Sequence, residues 1–282
     1  CKDEAIMRAQ EAREKFEIAV ERQDEEIRLD ESVLLIAAES NSGIRVQNYL
    51  DILDSLAEKY YASINRESLL GASASGLSEF IHGAEGFSGN VTNYYAPENS
   101  YLNHVIDVRQ GIPISLALIH ICLGKRLDMP VRGINFPGHF LVRYGFEEHV
   151  IVDPFSGRTL SEADCATLLN QIAGPRAMIQ PDYLETATNR SILIRVLDNL
   201  KQIFWKNKAW DESKACIERQ LLLLPDQSEF NIQLGAIYEM KGQIPLAQDT
   251  YTRVLQECED EQLTKVAGKR LLAMGSANRT IH

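Results

Sequence analysis

Gly111-Ile112-Pro113-Ile114-Ser115, then Phe136-Pro137-Gly138-His139-Phe140-Leu141-Val142-Arg143, then Val150-Ile151-Val152-Asp153-Pro154-Phe155, are the stretches on which the reading of this chain turns. The first predicts a turn feeding a helix, because proline is accepted at the first helical position and Ser115 then falls in the first turn. A hydroxyl there lies beside unpaired backbone N–H groups that can stabilise a developing oxyanion. The second stretch reads as a turn entering a strand, and the third as a strand stopped by Pro154. Joined by a short hairpin, the two strands set Asp153 against His139, and a carboxylate on its far nitrogen orients an imidazole for proton transfer. Ser115, His139 and Asp153 are therefore the candidate catalytic set: nucleophile, general base and His-orienting carboxylate.

The nucleophile is the weak member of the three. An imidazole generates a thiolate readily, since a thiol's unperturbed pKa is about 8.5, whereas a hydroxyl attacks only as a base removes its proton. The same residues have a plainer reading, with Ser115 stabilising a helix start, Asp153 capping a turn and His139 supplying a structural hydrogen bond. A third reading is a ligand or peptide cleft that keeps an enzyme's shape without its chemistry.

The helix that begins at Pro113 extends to Leu127, with Leu116, Ile119, Leu123 and Leu127 recurring at three- and four-residue spacing. Cys122 sits two turns beyond Ser115, displaced by about 10 Å, which makes it a buried apolar residue rather than a substitute nucleophile. His104 and His120 form no metal-ligand spacing with another histidine or cysteine, and both read as satisfied polar residues.

Outward from this centre, helical spacing is clear on both sides. Ala12, Phe16, Ala19 and Val20 mark one helix, residues 31–38 a second, and residues 46–61 a third, with Asn41-Ser42-Gly43 as a stop between them. Residues 76–87 suggest a further short helix, followed by an aromatic loop around Tyr94, Tyr95 and Tyr101. From about Asn189 the chain reads all helical with an internal period: Leu200 matches Leu234, Phe204 matches Tyr238, and Ile217 matches Tyr251. Two domains are expected, residues 1–188 and 189–282. One helical hairpin cannot bury its apolar face alone, so the repeated units should stack, with residues 263–274 as a closing helix.

The 282 residues are 45% hydrophobic, enough for a folded core, and carry a net charge of -11 without a basic patch. A phosphate-backbone binder needs concentrated positive charge, so no nucleic-acid partner is expected. No apolar run approaches the roughly 20 residues of a membrane span. Cys1, Cys122, Cys165, Cys216 and Cys258 are odd in number and widely separated, which favours an intracellular reducing compartment and no structural zinc. A chain starting at Cys1 without a visible signal peptide suggests a processed or trimmed start, so cytoplasm and an organellar stroma or matrix both fit.

The three opening stretches, together with Asn93-Tyr94-Tyr95-Ala96-Pro97-Glu98-Asn99-Ser100-Tyr101-Leu102-Asn103, resemble the SirB1 family of transglutaminase-like proteins with tetratricopeptide repeats. The resemblance spans about residues 25–272. It implies an α+β fold: a helix-rich N-terminal segment, a transglutaminase-like (papain-like) core with an antiparallel sheet, and C-terminal all-α tetratricopeptide repeats. Active transglutaminase-like enzymes attack an amide with a cysteine at the start of the central helix. That role falls near Ser115 here, while His139 and Asp153 keep the other two. The departure favours a noncatalytic protein-interaction or scaffold protein with a protein or peptide partner and no cofactor. The alternative is a serine-dependent amidase, protease or acyltransferase with oxyanion donors near Leu116.

Overall fold

The computed structural model describes residues 2–64, 74–145 and 149–277, so the expectation for Cys1 falls outside the described residues. Contacts divide the chain into two compact units, Cys1–Val196 and Leu197–His282.

The first unit begins with α1 (Lys2–Val20), α2 (Leu29–Ser40) and α3 (Val46–Ser63). Between α2 and α3 the Asn41 side chain accepts the Gly43 N–H at 3.0 Å, an Asx turn that accounts for the stop. Residues 76–87 depart from the single short helix expected of them. α4 (Ala74–Glu79) widens into a π-type turn (Phe80–Ala84) in which Glu85 N–H reaches Phe80 O at 2.9 Å. Gly86, at φ +72°, then takes the chain out of the helix. β1 (Ser88–Gly89) follows and pairs in parallel with β2 (Gln110–Gly111), and α5 (Leu102–Val108) lies between them in sequence.

α6 (Pro113–Arg126) is the centre of this unit, with every residue from 111 to 120 buried. It packs against α2, α3, α5 and the first two strands of an antiparallel sheet. That sheet runs in the order β3 (Val131–Ile134), β4 (Leu141–Tyr144), β5 (Val150–Asp153), β6 (Arg158–Leu160). Beyond it lies α7 (Glu162–Ala173), started by a reciprocal cap in which Ser161 Oγ accepts the Asp164 N–H and Asp164 Oδ2 accepts the Ser161 N–H. Cys165 and Leu169 of α7 meet Ile134, Phe136, Leu141 and Ile151 in a closed apolar cluster. The sheet is thus covered on both sides, giving an α+β architecture of helices against antiparallel strands. α8 (Asn189–Lys206) starts on the Asp24 carboxylate, which accepts the N–H groups of Asn189 and Arg190 at 2.8 Å each.

The second unit is helical: α9 (Trp210–Leu223), α10 (Ser228–Met240), α11 (Ile244–Glu257) and α12 (Glu261–Ala277). Both ends of α9 recur in α11, since Trp210 to Ile244 and Leu223 to Glu257 are each 34 positions apart. Lys208 (φ 59°) and Gly242 (φ 69°) share that spacing, so both turns need one left-handed residue. Tyr251 is fully buried on Gly235, where a Cβ would lie 2.7 Å from its ring. The preceding repeat has Ile217 and Lys201 at these places, and Lys201 satisfies its ammonium on Asp198 at 2.7 Å and Gln220 at 2.9 Å.

The left-handed pair yields opposite expectations. Gly242→Ala has no steric neighbour to meet, so its cost of about 1 kcal/mol is conformational. Lys208→Gly relieves an unfavourable φ and should stabilise by about 0.5 kcal/mol after the glycine's extra unfolded-state entropy. Urea denaturation of both variants checks the signs.

Candidate active site and its buried supports

Ser115 lies in the first turn of α6 and has no exposed surface. Its hydroxyl donates to the Asn99 carbonyl at 2.6 Å and accepts the Ile112 N–H at 3.0 Å. The second bond caps the helix start. The first ties the helix to the segment before α5, where Asn99 Nδ2 in turn donates to Asn93 O at 2.6 Å and Asn99 Oδ1 accepts Asn90 Nδ2 at 3.0 Å. Among the described residues no hydrogen bond joins Ser115 to His139. Leu116 N–H donates to Ile112 O at 3.0 Å as an ordinary helical bond, so it is committed and does not serve as an oxyanion donor.

His139 and Asp153 are brought together. The hairpin of β4 and β5 pairs Val142 with Val152, and the turn before β4 carries His139 across to the end of β5. That turn uses Gly138 at φ +66°, where a Cβ would also lie 2.4 Å from Ile172. His139 Nε2 donates to Asp153 Oδ1 at 2.8 Å, with side-chain exposures of only 13% and 15%. The remaining carboxylate capacity is taken by Phe155 N–H at 2.9 Å and the Ser156 hydroxyl at 2.7 Å. Burial pushes the Asp153 carboxyl upward, but the donors from His139, Ser156 and Phe155 outweigh it and hold the group below the usual carboxylate value. Chemically, this is an imidazole with one nitrogen pinned to a carboxylate, which is the arrangement of a general base. Around it stand Tyr94, whose ring lies 5.9 Å from that of Phe155, and Arg195, which donates to His139 O at 3.2 Å. Arg143 is committed to the Leu184 carbonyl at 2.6 Å.

Of a second group of polar residues the sequence singled out only His120, as a satisfied polar residue, and not the partners that satisfy it. His120, in the middle of α6 and fully buried, contacts Tyr144 of β4 through Nδ1 at 2.5 Å and His82 of the π-type turn through Nε2 at 3.1 Å. His82 Nδ1 donates to Phe87 O at 2.8 Å. Spacing along the chain carries no trace of this group, because its members lie on three separate elements. Burial, followed by the proximity of His82, holds the His120 imidazole well below its ordinary value, against the pull of Asp153. Cys122 is buried two turns along α6, and burial pushes its thiol upward, so it is not an activated nucleophile. Among the described residues no three His, Cys, Asp or Glu side chains gather as metal ligands, and no helix is long and apolar enough to cross a membrane.

A helix packed on an antiparallel sheet, with a histidine and an aspartate meeting across a hairpin, has a counterpart among known families. Residues 47–198 match the model of the transglutaminase-like superfamily. A UPF0162 protein of Xylella fastidiosa is 35% identical over 240 residues, covering 83% of this chain and 85% of that protein. The chain belongs to the transglutaminase-like superfamily, together with the UPF0162 proteins. A further UPF0162 protein, of Pseudomonas aeruginosa, is 37% identical over 175 residues, 62% of this chain and 64% of that one. F-box only protein 21 of Homo sapiens is 27% identical over 166 residues, 54% of this chain and 25% of its own length. No solved structure matches the chain.

Two expectations follow for this transglutaminase-like core. Ser115→Ala strips partners from a buried carbonyl and a buried N–H, and should cost about 1–3 kcal/mol in chemical denaturation. Asp153 stabilises the fold as an anion, so its contribution is complete above the unfolded carboxylate value of about 3.9 and fades as pH falls through its lower folded value. Asp153→Asn should therefore lower stability at pH 7 and flatten the acid limb of the stability curve. A parallel offset at every pH would show that the charge contributes nothing.

Proposed function

We propose that the chain is a noncatalytic protein-interaction or scaffold protein of SirB1 type. It is built on a degenerate transglutaminase-like core, residues 1–188, followed by a short tetratricopeptide array, residues 189–282. One observation carries this reading: the Ser115 hydroxyl is fully buried and donates to the Asn99 carbonyl at 2.6 Å. A nucleophile has to present its oxygen to an electrophile while a base takes the proton. Here the hydroxyl hydrogen is directed at backbone carbonyls, Asn99 O at 2.6 Å and Ile112 O at 3.1 Å, and not at a base. The 34-position recurrence of α9 in α11 supports the tetratricopeptide assignment, and stacked helical pairs present surfaces suited to peptides. A net charge of -11 favours a protein partner over nucleic acid. The match to about a quarter of human F-box only protein 21 supports use of the core as a module within larger proteins. The thiols of Cys122, Cys165 and Cys258, none of them in a disulfide, support a reducing compartment, cytoplasm or organellar stroma or matrix.

The second reading rests on the 2.8 Å His139–Asp153 contact. It makes the protein a serine-dependent amidase, protease or acyltransferase in which Ser115 turns from Asn99 to His139, and first-turn N–H groups of α6 hold the oxyanion.

A fluorophosphonate probe separates the two. The purified chain is treated with the probe and the adduct located by mass spectrometry, with His139→Ala as the control for base dependence. The expected outcome is no adduct at Ser115 in folded protein. Labelling at Ser115 that is lost in His139→Ala would establish serine chemistry and overturn the scaffold reading.

A further inference from the structure

The contacts between His82, His120 and Tyr144 permit only one neutral proton arrangement. Phe87 O is an acceptor, so the hydrogen of that 2.8 Å contact sits on His82 Nδ1. A neutral His82 then offers Nε2 as an acceptor, and the 3.1 Å contact requires the hydrogen on His120 Nε2. His120 Nδ1 is left to accept, and the Tyr144 hydroxyl supplies the donor at 2.5 Å. Four groups on three elements, β4, α6 and the turn at 80–87, are joined in one directional chain with no spare site for a proton.

We propose that this chain is an acid-sensitive lock, which holds the 80–87 turn on α6 while both imidazoles are neutral and releases it when the pair takes up one proton. A proton on His82 Nε2 sets two N–H groups face to face across a gap fit for one. A proton on His120 Nδ1 forces the Tyr144 hydroxyl to give up its acceptor inside the core. The His120 cation has no water to turn to, since that ring is fully buried, and the half-buried His82 ring has both nitrogens directed at protein partners. The groups facing the pair bear out the imbalance. From β5 comes Asp153, which attracts a proton but is already held by His139, Ser156 and Phe155 N–H. From β4 comes Tyr144, with neutral Tyr60 of α3 beside it. On and beside the turn are Glu79 and Glu85, and Glu85 is neutralised by Lys59 of α3 and Arg109. Burial outweighs these attractions and keeps both rings neutral.

The lock reaches the His139–Asp153 pair. The His82 ring packs on the loop after β5, where a Cβ at Gly157 would come within 2.7 Å of it. Just past the turn, Gly89 N–H donates to Phe155 O at 3.0 Å, and Phe155 N–H holds Asp153. Release of the turn therefore loosens the loop that aims Asp153 at His139. This inference stands whether that pair serves catalysis or binding.

The sign follows from proton uptake. The unfolded chain binds more protons than the folded one below the ordinary imidazole value of about 6.5, so stability falls with pH from there downward, by up to about tenfold in the opening constant per proton and pH unit. The test uses the whole 282-residue chain labelled with 15N. Long-range imidazole correlations at pH 7.5 should show His82 as the Nδ1–H tautomer and His120 as the Nε2–H tautomer. Between pH 6.5 and 5, the amides of Glu85, Phe87 and Gly89 should lose exchange protection together, after correction for the intrinsic pH effect. His82→Gln, which leaves only the more deeply buried His120 to take up a proton, should move that acid-induced loss to lower pH, whereas His104→Gln should leave it where it is. Identical tautomers on both rings, or protection unchanged down to pH 5 in the unmodified protein, would overturn the proposal even if no variant folds.

Discussion

A polar side chain in a fully buried stretch of helix has to find its partners in neighbouring segments, and α6 carries two of them. Residues 111–120 are buried without exception. An unpaired hydroxyl or imidazole there would cost a large part of a domain's net stability. Ser115 meets this constraint by drawing in the Asn99 carbonyl, and His120 by bridging Tyr144 and His82. The segment before α5, the turn at 80–87 and the sheet are thus each tied to one helix by bonds that exist because the helix is buried.

The same constraint shapes the chemistry of the site. In a serine enzyme the hydroxyl at a helix start must be free to meet a base. Here it serves the fold, and the structural demand on Ser115 competes directly with any catalytic one. His139 and Asp153 stand outside that demand, partly exposed at the end of the hairpin, and keep the geometry of an oriented imidazole. Asp153 remains anionic because three donors converge on it, and two of these come from its own loop. The carboxylate would keep its charge and position without catalysis, which is why its retention alone does not argue for an enzyme.

Regular elements were legible to the extent that burial imposes a period. α2, α3, α6 and the helices after Asn189 show apolar residues at helical spacing, and the strands at 141–144 and 150–153 show compact apolar runs before a turn or proline. β3, β6 and α7 went unread. Val131-Arg132-Gly133-Ile134 is too short for alternation to register, and Gly133 reads as a loop residue until Phe140 and Ile192 are seen against it. Residues 76–87 have helical spacing, yet the wider turn at Phe80–Ala84 places His82 over α6, and no local propensity distinguishes that turn from an ordinary helix end.

The amino-acid order by itself determined that a buried helix starts at Pro113, that a hairpin links His139 to Asp153, and that two similar helical units close the chain. Each of these follows from local chain chemistry or from a burial period that repeats within a short window. The tertiary structure alone decided what the polar groups do. Ser115 bonds a carbonyl 16 positions away, and His120 an imidazole 38 positions away. Such a bond requires two segments to be placed to within a few tenths of an ångström, and periodicity states which face of a helix is buried without stating what is buried against it.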